Sequence, residues 1–394
     1  MFGKGIPLFT FKGITVKLDP SWFLIVVLIA WSLAETAFPT LLDNARQAAE
    51  ESDQIQREVP ELSTTTFWIM GAIGAIGLFA SILAHEFGHA IVANRRGLPV
   101  RGITLFLFGG VAELSREPDS AKDEFYVAIA GPIVSVVLGV SFMLLAAIPV
   151  GIAVELLLGY LGIINLVVVT FNLIPAYPLD GGRVLRSILW ARKGDLLSAT
   201  RTAAAIGGGF GIVLMALAVF RLFAGDIIGA AFTFLIGMFI RGASAQARMQ
   251  VEVRTALSGQ RVRTLMNDQP RTVADSETLE RFVEDHVYRH HLKMFPVTHN
   301  GSDELKGCVS VDQVKDVPRE RWGDTRVADL ADDCSDANTI APDADASEAL
   351  LRMSGSGKTK LMVVAPGGRL VGVLTLKDLM GHVEMRREVE GLPG

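Results

Sequence analysis

The 394-residue chain carries 37 Lys and Arg against 42 Asp and Glu, for a formal charge of −5, and half of its residues are apolar. That balance offers no basic face, so no nucleic-acid partner is expected. The two cysteines, Cys308 and Cys334, lack CxxC spacing, which argues against a disulfide framework and for reduced thiols in a cytosolic segment.

Met1 to Lys17 is amphipathic and basic, and the apolar run after it continues too far for a cleavable signal. Long apolar runs then recur until about residue 242 and predict about six membrane crossings, since a bilayer core needs roughly 20 helical residues. They are expected near Trp22–Phe38, Phe67–Ala93, Phe125–Ile148, from Gly151 to Ile174, Ala203–Phe223 and Ile227–Ile240. A polar, mainly acidic stretch with Asp43, Glu50, Glu51, Asp53, Glu58 and Glu61 separates the first two. Lys4, Lys12 and Lys17, then Arg95, Arg96 and Arg101, then Arg183, Arg186, Arg192 and Lys193, then Arg241, Arg248 and Arg254 all fall on one side of a six-span chain. By the positive-inside rule that side is cytoplasmic, with both termini inside a multi-pass protein of the cell membrane.

The second span contains His85-Glu86-Phe87-Gly88-His89. Residues four apart share a helix face, so the two imidazoles converge as metal ligands, with Glu86 beside them to take a proton from water. Ionisable groups inside an apolar span are costly and seldom structural. A catalytic zinc site takes a third protein ligand, and Asp180 is the candidate, in Asn172-Leu173-Ile174-Pro175-Ala176-Tyr177-Pro178-Leu179-Asp180-Gly181-Gly182-Arg183. Pro175 and Pro178 interrupt the helix there, and Gly181-Gly182 is expected to turn the backbone tightly.

The HEFGH helix followed by NLIPAYPLDGGR resembles the site-2 protease family of intramembrane metalloproteases. The resemblance implies that His85, His89 and Asp180 bind one Zn2+ per chain, that Glu86 activates water, and that Asn172 positions the scissile backbone or its oxyanion. It also implies a membrane-re-entrant β element. Gly102 to Leu114 alternates in the right place, with Gly109-Gly110 as its expected turn, and its edge would receive substrate as an added strand. Ala130-Gly131-Pro132-Ile133-Val134-Ser135 is similar to the family's GPxxN/S segment. Gly109, Gly110, Gly131, Pro132 and Ser135 are thus candidate substrate-binding residues. The substrate would be a transmembrane segment of another protein within the lipid bilayer.

Beyond about Ser258 the chain reads as a soluble α/β repeat of two units of roughly 60 residues. Gly372-Val373-Leu374-Thr375-Leu376-Lys377-Asp378 resembles the end of a CBS domain, which implies that Thr375 and Asp378 contact the ribose of an adenine nucleotide. In the first unit, Gly307-Cys308-Val309-Ser310-Val311-Asp312 places its Asp one residue early, and the pair reads equally as a ligand-free docking or dimerising module, with a homodimer through it. His286, His290 and His291 read as ordinary surface residues. The expected fold is a polytopic α-helical membrane domain with a re-entrant β element over residues 1–250, plus a cytosolic CBS pair over 258–318 and 325–386. The expected function is zinc-dependent intramembrane cleavage modulated by the CBS pair. The rivals are an ion transporter or channel with CBS domains, and an inactive scaffold.

Overall fold

The computed structural model describes residues 5–51, 59–106, 109–114, 118–335 and 337–389. They form two compact units, Met1–Arg248 and Met249–Gly394.

The first unit opens with a small sheet. Strands β1 (Ile6–Phe11) and β2 (Ile14–Leu18) pair antiparallel, β2 runs parallel to β3 (Val100–Phe106), and β3 pairs antiparallel with β4 (Gly109–Leu114), so β4 ends the sheet. Strand alternation explains its attachment. Ile14, Val16 and Leu18 point one way and are buried, while Thr15 and Lys17 face outward. Ile14, Leu18, Leu98, Val100, Ile103 and Leu105 pack on Ala90 and Ala93 of helix α3 (Thr64–Arg95) and on Val127 of α4 (Ala121–Ala146). The expected β element is present, but Gly109 and Gly110 open β4 instead of forming the turn. Phe106 pairs with Gly109, so the connection runs through residues 107–108, which lie outside the described residues.

Six helices are long and apolar enough to cross a membrane: Ser21–Glu51, α3, α4, α5 (Ile152–Asn172), α7 (Leu196–Phe223) and α8 (Ile227–Leu257). Their outward faces are apolar, with Leu144, Phe220, Phe223 and Ile228 all exposed, a surface suited to lipid. The chain is a multi-pass membrane protein.

The first helix outruns its expected end at Phe38. Its apolar part α1 (Ser21–Ser32) passes through a π-turn at Leu33–Ala37 into α2 (Phe38–Glu51), so Asp43, Glu50 and Glu51 are helical. Pro39, which has no N–H to give to the ladder, follows directly on that shifted turn. Asp53, Glu58 and Lys4 lie outside the described residues. Helix α5 stops at Asn172, just before the Pro175 and Pro178 loop, and α6 (Asp180–Lys193) begins after it.

In the second unit, the first repeat builds strands β5 (Val273–Ala274), β6 (Met294–Thr298) and β7 (Leu305–Ser310), and β8 (Asp332–Asp333), from the start of the second repeat, completes their sheet after β7. The second repeat builds β9 (Thr339–Ile340), β10 (Lys360–Ala365) and β11 (Arg369–Thr375). Each repeat pairs its first strand parallel and its last two antiparallel. Phe282, Phe295, Val297 and Val309 fill one core, and Leu361, Val363, Leu374 and Leu379 the other. Cys308 and Met362 meet in the small cluster shared by the two repeats.

Candidate metal centre

Helix α3 places His85 and His89 one turn apart on the same buried face. Their Nε2 atoms are 3.1 Å apart. Asp180, the first residue of α6, brings Oδ2 to 3.0 Å from His85 Nε2 and 3.2 Å from His89 Nε2. A carboxylate at a helix N-terminus is electrostatically favoured there. Among the described residues this is the one group of three His, Cys, Asp or Glu side chains close enough to hold a metal.

The donor set fits Zn2+. Ligands about 2.0–2.1 Å from a tetrahedral ion stand roughly 3.3 Å from one another, close to the triangle observed. The outer nitrogens fix which way the rings face. His89 Nδ1 lies 2.6 Å from the Val127 carbonyl, which can only accept, so Nδ1 carries the proton and Nε2 keeps its lone pair toward the centre. His85 Nδ1 is 2.9 Å from Ser135 Oγ. With His89 neutral and its proton on Nδ1, one N–H at most remains to be shared among the two Nε2 atoms and the carboxylate oxygen, whereas a cation satisfies all three.

Helix α4 makes room for this. A Cβ at Gly131 would sit 2.6 Å from His85 Nε2 and closer still to His89 Nε2, so only glycine lets the helix approach the two rings. Pro132 follows it, buried. Gly110 of β4 stands in the same relation to Glu86: a Cβ there would lie 2.6 Å from Glu86 Cγ. The end strand of the sheet therefore runs directly over the proposed base. Asn172 closes α5. Gly181 and Gly182 lie in the first turn of α6 instead of making a turn, packed on the backbone of residues 173–177. The carbonyl of Tyr177 in that loop accepts a hydrogen bond from Ser244 Oγ of α8.

Sequence reasoning missed the Val127 carbonyl and the buried pair of Glu124, in the first turn of α4, with Arg186 of α6. A backbone acceptor carries no sequence signature, whereas an acid at the edge of an apolar span was visible and unread.

In the CBS repeat, Thr375 Oγ1 and N both donate to Asp378 Oδ2, at 2.6 and 2.9 Å, capping helix α9 (Leu376–Val389). Lys360 pairs opposite Thr375 across the β10–β11 hairpin. Burial holds its ammonium below the usual lysine range, and Asp378 pulls it partly back up. In the first repeat the equivalent cap is Ser310 with Gln313, whose amide donates to Leu330 O at 2.8 Å and Asp332 Oδ1 at 3.0 Å. Asp312 instead faces solvent, paired with Lys315. His286 meets Glu277 at 3.4 Å.

The sequence matches peptidase family M50 over residues 73–152 and 147–216 and the CBS domain over residues 327–384. It is 32% identical to the zinc metalloprotease Rip3 of Mycobacterium tuberculosis over 392 residues, 98% of this chain and 95% of that one. It is 30% identical to a zinc metalloprotease of Methanocaldococcus jannaschii over 84% of this chain and 90% of the relative. Among solved structures, the site-2 protease from Methanocaldococcus jannaschii aligns with a TM-score of 0.40 at 28% identity, over 62% of this chain and 95% of that one. The chain that draws two histidines and an aspartate together inside a bundle of apolar helices is thus similar, along nearly its whole length, to curated zinc metalloproteases, and the protein belongs to peptidase family M50, the site-2 protease family of intramembrane zinc metalloproteases.

Proposed function

We propose that the protein cuts transmembrane segments of other membrane proteins, with His85, His89 and Asp180 as zinc ligands and Glu86 as the general base. The observation that carries this reading is the closed triangle of three donor atoms, with edges of 3.0–3.2 Å, two from α3 and one from α6, with Glu86 next to His85 on α3. When bound, zinc supplies a Lewis acid and a water acidic enough to ionise near neutrality. Glu86 takes the proton of that water and returns it to the leaving amide nitrogen. Asn172, at the end of α5, offers an amide N–H to the oxyanion. Ser135 and the Val127 carbonyl hold the rings in register from behind. We therefore assign Gly131, Pro132 and Ser135 to shaping the centre, and Gly109 and Gly110 to the strand that receives substrate.

A helical peptide bond is shielded by its own hydrogen bonds, so the substrate must unwind before attack. The outer edge of β4, unpaired among the described residues, offers the freed backbone a strand to join. The clustering of Lys and Arg supports cytoplasmic termini for a protein of the cell membrane.

The CBS pair takes one adenine nucleotide per chain in this reading, held by Thr375, Asp378 and the Lys360 ammonium. Gln313 is a neutral amide committed to its own neighbours, so the first repeat lacks the carboxylate. Nucleotide binding modulates cleavage.

The deciding experiment compares zinc content and cleavage of a model transmembrane peptide on detergent-purified samples. Wild type is expected to hold about one zinc per chain and to cleave. His85→Ala and Asp180→Ala are expected to lose both, and Glu86→Gln to keep zinc and lose at least ~10³-fold in rate. Cleavage retained by Glu86→Gln would sink the mechanism.

A further inference from the structure

Glu124 is fully buried in the first turn of α4, and Arg186 is buried in α6. Arg186 Nε donates to Glu124 Oε1 at 2.6 Å and Nη2 reaches the same oxygen, while the guanidinium lies 5.1 Å over the ring of Tyr177. Among the described residues Glu124 Oε2 has no hydrogen-bond partner. Energetically this is a poor way to hold two helices together. Burying two opposite charges costs much of what their attraction returns, and apolar residues of the same size usually serve as well or better. A carboxylate oxygen left without a partner adds to the cost.

What such a pair does supply is geometry, because an Arg–carboxylate contact fixes direction as well as distance. Its place in the fold gives that geometry a use. Glu124, Val127, Gly131 and Ser135 recur at three- and four-residue spacing along one face of α4. Ser135 holds His85, Gly131 admits both rings and Val127 holds His89. The fourth member, Glu124, reaches the helix whose first residue is Asp180.

We propose that the Glu124–Arg186 pair is a positioning device for the third metal ligand: it sets α6 against α4 so that the Asp180 carboxylate completes the triangle with His85 and His89. The proposal rests on the zinc-centre reading above. Arg186 touches neither metal nor substrate, and acts through α6.

The test replaces both charges at once with Glu124→Met and Arg186→Met, beside Arg186→Lys and His85→Ala, in the full-length detergent-solubilised protein. Zinc affinity is read by chelator competition, folding by thermal unfolding of the zinc-free protein, and cleavage as separate kcat and KM. The double Met variant is expected to unfold no earlier than wild type, yet to bind zinc ~10–100-fold more weakly, the range for residues that orient ligands, with the loss of cleavage in kcat. Arg186→Lys is expected to fall between the two. A folded double Met variant with wild-type zinc affinity overturns the proposal. If that variant does not fold, Arg186→Lys decides: unchanged affinity overturns the proposal, and weakened affinity supports it. Zinc missing from wild type as well as from His85→Ala would remove the metal-centre reading, and this inference with it.

Discussion

Two glycines divide the work of the site at the scale of single residues. A methyl at position 131 meets the rigid faces of both ligand rings, whereas a methyl at 110 meets the flexible stem of Glu86. Gly131→Ala is therefore expected to cut zinc content per folded chain by at least ~10-fold, measured by elemental analysis. Gly110→Ala is expected to leave zinc in place and lower kcat by ~10²-fold through misplacement of the base. Zinc lost equally from both would show that β4 supports the ligands and not the base. The ligand histidines were legible because helical spacing turns four residues of sequence into one face. Asp180 was legible only through its motif, being 95 residues from His85. Val127 was not legible at all, since every residue has a carbonyl.

Among the elements, α4 is the template and α6 the attached part. Helix α6 is only 14 residues long, not long and apolar enough to cross a membrane, and it meets the centre through Asp180 and α4 through Arg186. A ligand that binds only the assembled state stabilises that state. Chelating the zinc is accordingly expected to raise hydrogen exchange of α6 amides by ~10-fold or more, while α7 amides stay unchanged. Equal exchange with and without zinc would show α6 to be held by packing alone. The long apolar runs announced their helices plainly. The end of the first did not show, because an acidic stretch reads as a loop while α2 buries Phe38 and Leu42 from the same residues. The β3–β4 hairpin was visible by alternation, but its two glycines were assigned to the turn on residue type, whereas Gly110 is set by Glu86, which comes close only in three dimensions, and Gly109 by its φ of +128°.

For the whole molecule, the repeat order of the second unit was readable, and the inequality of its halves was readable only in part. Asp312 looked like a displaced ribose acid, while the hairpin and helix cap put Gln313 at the place of Asp378. Titration of the full-length protein with ATP, ADP and AMP is expected to give one site per chain, abolished by Asp378→Ala and weakened ~10-fold by Lys360→Ala, a phosphate-facing charge. Two sites, or none, would refute this assignment. The end strand β4 carries a different lesson. A guest taken up through main-chain N–H and C=O groups is read with little regard to its side chains, so in the proposed reaction the choice among membrane helices would rest on how readily each comes apart. Its substrates would then share a physical weakness, a glycine, a proline or a polar residue at the right depth, in place of a common cleavage sequence.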